Sequence, residues 1–193
     1  MLAPLYDWVD ERLKLKPIEQ TLLDEPIPGG ASWNYVFGSA TLFLFVLQAI
    51  TGMCLSIYYV PSPDHAYDTV QYIENEVWFG WFIRGLHHWG ASAVIMAVGL
   101  HMLQVFFDGA YKRPREMMWM VGVVLLLLML GFGFTGYLLP WDQNAYWATQ
   151  VGINMAGTTP IIGDFIVRLM RGGETLGALT LSRAFAIHVM LLP

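Results

Sequence analysis

Two histidines in an apolar stretch are the residues whose type and spacing best suit chemistry. His87 and His101 are 14 residues apart, and no Asp, Glu, Lys or Arg lies between them. On an α-helix this interval is about 21 Å of rise and roughly 40° short of four full turns, so the two imidazoles share one face at two depths. Ionisable groups inside a membrane are costly and usually functional. This spacing favours two metal ligands over two structural hydrogen bonders, whereas His88 points about 100° away and is expected to serve packing.

Glycines repeat the same interval in the apolar stretches before and after this one. Gly38 and Gly52 are 14 residues apart, as are Gly122 and Gly136. Small residues let a bulky group approach a helix backbone closely. Ordinary helix packing explains any one glycine, but it does not explain why both pairs share the histidine interval. Two flat iron-carrying macrocycles, stacked along the membrane normal, explain all three pairs.

A macrocycle held by His87 needs a second axial ligand, and His188 is the only histidine in the last apolar segment. An iron with two histidine ligands has no open position for O₂, so its function is electron transfer. The partner of His101 is expected at the same interval beyond His188, which falls past Pro193, so this chain is expected to supply only one ligand at that depth. Arg84 and Arg183 lie just outside the first pair and are predicted to neutralise haem propionates. The alternative is that they snorkel to the membrane surface.

Long uncharged stretches indicate the helices that must position these residues. Only 13% of the 193 residues are charged, about half the usual fraction, and 56% are hydrophobic. Three uncharged stretches reach the length of about 20 residues that a membrane-spanning helix needs. The predicted fold is an all-α membrane protein, a four-helix bundle with a short interfacial helix over 162–170. Its helices are expected at about 33–59, 81–107, 117–139 and 181–193, the last incomplete.

Charged residues predict the orientation and the domain organisation. Basic residues at 12, 14 and 16 and at 112, 113 and 115 place the N-terminus and the loop after the second span on the cytoplasmic side. Residues 1–30 are predicted to form an arm with an amphipathic surface helix over 2–13 rather than a cleaved signal, and residues 31–193 to form the haem-binding bundle. The net charge of −5 excludes a basic nucleic-acid-binding surface. The single cysteine, Cys54, excludes an internal disulfide and a CxxCH haem site.

Several motifs resemble cytochrome b of the quinol:cytochrome c or plastocyanin oxidoreductases. They are GWFIRGLH (80–87), KRPRE (112–116), GYLLPWDQ (136–143) and LSRAFAIH (181–188), and the PWDQ form is similar to the split, plastid-type version. The resemblance implies two b-type haems (protohaem IX) and a quinone site near each membrane face. His87 and His188 match the ligands of the positive-side haem, and His101 matches one ligand of the negative-side haem. A covalent third haem is not expected, because Val36 stands where the plastid-type form has a cysteine.

The same resemblance implies a quinol-oxidising site and a set of partners. The border of that site is expected at Tyr137, Pro140, Trp141, Asp142, Gln143, Trp147, Ala148 and Val151. The implied partners are a Rieske iron–sulfur protein, a c-type cytochrome, and a C-terminal cytochrome b half or subunit IV, in a dimeric complex. One electron from quinol would go to the iron–sulfur protein and the other across the membrane through the two haems. The expected location is a bacterial inner membrane.

Two other classes of protein account for part of this pattern. A dihaem membrane anchor of a hydrogenase or formate dehydrogenase also uses helix histidines, but it gives no role to the paired glycines or to PWDQ. A transmembrane scaffold or channel without a cofactor must treat the shared 14-residue interval as chance.

Overall fold

The computed structural model describes Pro4, Asp7, Asp10–Arg12, Lys16, Pro17 and residues 33–193. In this part of the chain every regular element is helical, and no strand is present. A short 3₁₀ turn spans Trp33–Tyr35. The α-helices are α1 Val36–Ser56, α2 Ala66–Asn75, α3 Gly80–Phe107, α4 Glu116–Leu138, α5 Gln143–Gly157, α6 Gly163–Arg171 and α7 Ala178–Ala186, which continues as a π-helical turn over Ile187–Leu191.

Three of these helices, α1, α3 and α4, are long and apolar enough to cross a membrane. Many of their large apolar side chains are exposed, such as Leu42 on α1 and Leu127 on α4. In a bilayer these side chains contact lipid tails, which are as apolar as leucine. The chain is an integral membrane protein, as predicted. The segment Ala178–Leu191 is a shorter apolar helix at the position of the predicted fourth span.

The loops between the spans contain two helices that were not predicted from the sequence. Helix α2 buries Ala66, Val70 and Ile73, which share one face at a spacing of three to four residues. Helix α5 buries Ala145, Thr149 and Ile153 at a spacing of four. Because each helix is short and only one narrow face is apolar, neither resembles a span. The interfacial helix predicted over 162–170 corresponds to α6.

One end of the bundle is closed by a small apolar core and a hydrogen bond. Ala66, Leu138, Leu181 and Ala184 are buried together, with Tyr59 packed against them. The Tyr59 hydroxyl donates to the Leu139 carbonyl oxygen at 2.7 Å. Burial raises the pKa of Tyr59, so this phenol stays protonated and remains a donor. The loop after α1 is thereby tied to the ends of α4 and α7.

Helix α4 packs against α3, α5 and α7, and α7 packs against α6. Helix α1 meets α4 through the rings of Phe45 and Phe132, whose centroids are 6.2 Å apart. The spans therefore surround an interior into which the histidines of α3 and of the turn after α7 project.

The chain forms two compact units, Met1–Val36 and Phe37–Pro193. In the first unit the Lys16 ammonium lies 3.4 Å from a carboxylate oxygen of Asp7 and of Asp10. Hydrogen bonds to these carboxylates raise the pKa of Lys16. The amphipathic helix predicted over 2–13 falls largely outside the described residues. It stays a prediction, as does the domain boundary after residue 30.

Candidate haem-binding site

His87 and His188 face each other inside the bundle. Helix α3 carries His87 and the π-helical turn carries His188. Their ring centroids are 6.4 Å apart, and the ring planes make an angle of 77°. If a metal–imidazole distance of about 2 Å is applied on both sides of one iron, the two centroids lie roughly 6 Å apart. The two side chains therefore fit a single iron bound between them.

Glycines of α1 and α4 lie against these two rings. A Cβ built on Gly52 would come within 3.1 Å of His87 Cε1, and one built on Gly136 within 2.6 Å of His188 Cε1. Real Cβ atoms essentially never approach another heavy atom more closely than 3.0 Å. The backbones of α1 and α4 thus approach the histidines at points where only glycine leaves the necessary space.

His101 lies in the last two turns of α3 and has a similar neighbour. A Cβ on Gly38 would be 3.3 Å from His101 Cε1, whereas one on Gly122 would meet Met102 Sδ at 3.8 Å. The buried Nδ1 of His101 has no hydrogen-bond partner among the described residues. A buried polar atom without a partner calls for one that the protein itself does not supply. A histidine that ligates a cofactor fits this requirement.

Two threonines that the sequence analysis did not select contact the histidine pair. The Thr51 hydroxyl lies 3.0 Å from His87 Nδ1, and the Thr135 hydroxyl lies 3.1 Å from His188 Nδ1. Both threonines are buried. Each directly precedes the glycine that lies against the same ring, and this repeated Thr-Gly pair is the sequence signal that could have identified them.

The other predicted cofactor residues have different surroundings. Arg84 Nη1 donates to Glu74 Oε2 at 2.6 Å, and Arg183 Nη1 donates to the Leu169 carbonyl oxygen at 2.8 Å. Contact with a propionate therefore stays a prediction for both arginines. His88 is exposed, and its ring meets that of Trp89 at 5.4 Å between centroids.

Comparison with known proteins agrees with this geometry. The sequence model of the family Cytochrome b/b6/petB matches residues 22–193. The chain belongs to the cytochrome b family. A menaquinol:cytochrome c reductase cytochrome b subunit of Geobacillus thermodenitrificans is 50% identical over 201 residues, covering 100% of this chain and 90% of that protein. A cytochrome b6 of Prochlorococcus marinus is 40% identical over 191 residues, covering 99% of this chain and 88% of that protein.

A solved structure carries the same fold. A chain of a hyperthermophilic respiratory Complex III superimposes with a TM-score of 0.86 at 36% identity. The match covers 97% of this chain and 50% of the solved chain, so this chain spans about half the length of that relative. The predicted family and the all-helical membrane fold are confirmed. Cytochrome b proteins bind haem, which excludes the scaffold without a cofactor, and the family match argues equally against the hydrogenase-type anchor.

The GYLLPWDQ motif of this cytochrome b chain forms the turn between α4 and α5. Trp141 adopts a left-handed backbone conformation with φ of 53°, which is uncommon for a residue other than glycine. Asp142 then begins α5, and its carboxylate accepts a hydrogen bond of 2.8 Å from the Ala145 amide. Trp147 Nε1 donates to Gln143 Oε1 at 2.9 Å. The motif therefore reverses the chain and caps the next helix.

The residues predicted to border the quinol-oxidising site lie along this turn and the first half of α5. Tyr137, Trp147 and Val151 are more than half exposed, at 54%, 59% and 57%. Gln143 and Ala148 are exposed as well, and Pro140, Trp141 and Asp142 are partly buried. The structure brings them to one end of the bundle, and their role in quinol binding stays a prediction.

The Asp142 cap makes a testable contribution to stability. We expect Asp142→Ala to cost about 1 kcal/mol, because the Ala145 amide loses its acceptor. For a domain of this size that corresponds to a fall in Tm of about 2–4 °C. Thermal unfolding of the purified complex, followed by haem absorbance, measures the shift. Asp142→Asn retains a capping oxygen and should stay near the wild-type Tm, and an equal loss in both variants would contradict the capping role.

Proposed function

We propose that this chain is the cytochrome b subunit that transfers electrons from quinol across the membrane in a cytochrome bc-type oxidoreductase. The observation that carries the proposal is the facing pair His87 and His188, at a centroid separation of 6.4 Å, inside a bundle of the cytochrome b fold. The named relatives support the reaction class, because the Geobacillus protein is a subunit of a menaquinol:cytochrome c reductase.

Each residue of the site has a distinct part in holding the cofactor. His87 and His188 supply the two axial ligands of the positive-side haem, and Gly52 and Gly136 let α1 and α4 approach the ligand rings. A b-type haem with two histidine ligands supplies one-electron transfer without an open position for O₂. The surrounding apolar helices keep water away from the ligands.

We propose a second b-type haem at the depth of His101. The supporting observations are the close approach of Gly38 to the His101 ring and the unpartnered Nδ1 of that histidine. From His87 to His101 the helix rises about 21 Å, which is enough to stack two haems between the two membrane faces. Gly122 is proposed to face the same haem from α4.

Quinol oxidation and the partner proteins belong to the same proposal. The exposed side chains of Tyr137, Trp147 and Val151 offer a surface that a C-terminal cytochrome b half or subunit IV can cover. A Rieske iron–sulfur protein and a c-type cytochrome would accept electrons on this side, within a dimeric complex. By the positive-inside rule, the N-terminus and the loop at residues 112–115 lie on the cytoplasmic side of a bacterial inner membrane.

Visible spectroscopy of the intact complex tests this function. We expect a b-type α band in the reduced-minus-oxidised spectrum, and reduction of that band by added menaquinol. Redox titration should resolve two one-electron components. A purified complex without a b-type band, or a band that quinol does not reduce, would overturn the proposal.

The same preparation tests whether any haem is covalently attached. We expect acidified acetone to extract all the haem that this polypeptide carries, because Val36 stands where a thioether-forming cysteine would be needed. Cys54, the single cysteine, lies within α1 as a free and partly buried thiol. Haem that stays on the polypeptide after extraction, and is lost in Cys54→Ala, would contradict this expectation.

A further inference from the structure

The site contains a repeated arrangement that haem ligation alone does not explain. Thr51 on α1 and Thr135 on α4 each place a hydroxyl oxygen about 3 Å from the Nδ1 of one histidine of the facing pair. The two contacts are made from opposite sides of the bundle. Both threonines belong to a Thr-Gly pair whose glycine lies against the same ring.

The hydrogen bonds of each threonine determine the direction of this contact. The Thr51 hydroxyl donates to the Leu47 carbonyl oxygen at 2.7 Å, and the Thr135 hydroxyl donates to the Gly131 carbonyl oxygen at 2.8 Å. A hydroxyl has one hydrogen, which these bonds use. Each hydroxyl oxygen must therefore accept from the histidine, so Nδ1 carries the proton. The lone pair of Nε2 is left to bind metal.

The histidine at the other depth lacks this arrangement. Gly38, which lies against His101, follows Phe37 instead of a threonine. Among the described residues no group bonds His101 Nδ1. The hydroxyl contacts thus distinguish the positive-side pair from the negative-side ligand, although both sets of rings lie against glycines.

We propose that Thr51 and Thr135 are positioning residues that fix the tautomer of His87 and His188 and lower the reduction potential of the haem between them. The inference rests on the proposed function, since it assumes that both histidines ligate one haem. A group that accepts the Nδ1–H bond orients the ring and raises the basicity of the ligand. A more basic ligand stabilises ferric over ferrous iron, so the hydroxyls act selectively on this haem.

Removing a hydroxyl should therefore raise one reduction potential and leave the other in place. Thr51→Val keeps the side-chain shape but cannot accept the Nδ1–H bond. We expect the equilibrium for reducing that haem to shift by about tenfold, the lower end of the effect of losing such a partner. This corresponds to about 59 mV for a one-electron couple. Thr135→Val should act in the same direction on the same haem.

The experiment is a redox titration of the purified complex, combined with low-temperature electron paramagnetic resonance of the low-spin ferric haems. Thr51→Ser and Thr135→Ser keep the hydroxyl and should restore the wild-type potential. Thr41→Val is the matched control, because the Thr41 hydroxyl makes the same type of bond, to the Phe37 carbonyl oxygen at 2.7 Å, and contacts no histidine among the described residues. It should leave both potentials and both resonance signals unchanged.

The outcomes separate the inference from the function on which it rests. An upward shift confined to one haem in the valine variants, reversed by serine, supports the inference. Loss of only that haem in Thr51→Val, restored in Thr51→Ser, has the same meaning. Unchanged potentials in the valine variants, equal shifts in both haems, or serine variants that behave like valine would overturn it. A wild-type complex without two b-type components would instead refute the proposed function.

Discussion

Replacing His188 by leucine is expected to remove one of the two haems while the other remains. The iron between His87 and His188 would keep a single protein ligand, and leucine offers no atom that can bind metal. We expect His87→Leu to give the same result, because the two rings face one position from opposite sides. Electron transfer from quinol to cytochrome c should fall to the uncatalysed background. Haem quantitation per polypeptide and redox titration of membranes measure both effects.

His88→Leu is the matched control for this prediction. His88 lies on the same helix as His87, next to it in the chain, but it is exposed and its ring contacts Trp89. This variant should keep both haems and both potentials. Full haem content in both the His87 and His188 variants would refute the pairing. Loss of both haems in proportion to protein abundance would point to failed assembly instead.

Placing a single methyl group at Gly136 is expected to disrupt the same haem. The alanine Cβ would come within 2.6 Å of His188 Cε1, so the ring or helix α4 must move. Overpacking of this kind costs about 1–3 kcal/mol. An alanine inside a helix is otherwise about 1 kcal/mol more favourable than a glycine, so a loss cannot come from helix propensity. Haem occupancy and the potential of the positive-side haem are the readouts.

Other glycines provide a graded comparison for Gly136→Ala. A Cβ at Gly52 would be 3.1 Å from His87 Cε1, and a Cβ at Gly99 meets no side chain within 4 Å among the described residues. We expect the largest effect at Gly136, a smaller one at Gly52, and no haem-specific effect at Gly99. If Gly136→Ala and Gly99→Ala behave alike, the close approach to the ligand ring is not what requires glycine.

Together these variants distinguish a residue that binds the iron from one that leaves room for its ligand. Leucine at position 188 removes a ligand, whereas alanine at position 136 displaces it. The first change should abolish one redox component. The second should shift or partly deplete it, because His188 is still present but cannot occupy its native position.

Much of this protein could be predicted from its sequence. The uncharged stretches predicted three membrane-spanning helices, because hydrocarbon excludes charge and because the length of a span follows from the thickness of the bilayer. The interval of 14 residues that His87 and His101 share with both glycine pairs predicted two depths of cofactor binding. Helical geometry converts such an interval directly into a rise and a rotation. These properties lie within single helices, where distance along the chain and distance in space are related.

Only the tertiary structure decided which residues meet across the bundle. Thr51 and His87 are 36 residues apart in the chain, and Thr135 and His188 are 53 apart, so no local periodicity relates them. The left-handed backbone at Trp141 and the burial of one face of α2 and of α5 likewise depend on neighbours from other helices. Hydrogen bonds and van der Waals contacts are decided within a few tenths of an ångström, and that precision exists only once the helices have packed. The sequence by itself determined the span helices and the depths of the histidines, whereas packing determined which side chain holds each of them in place.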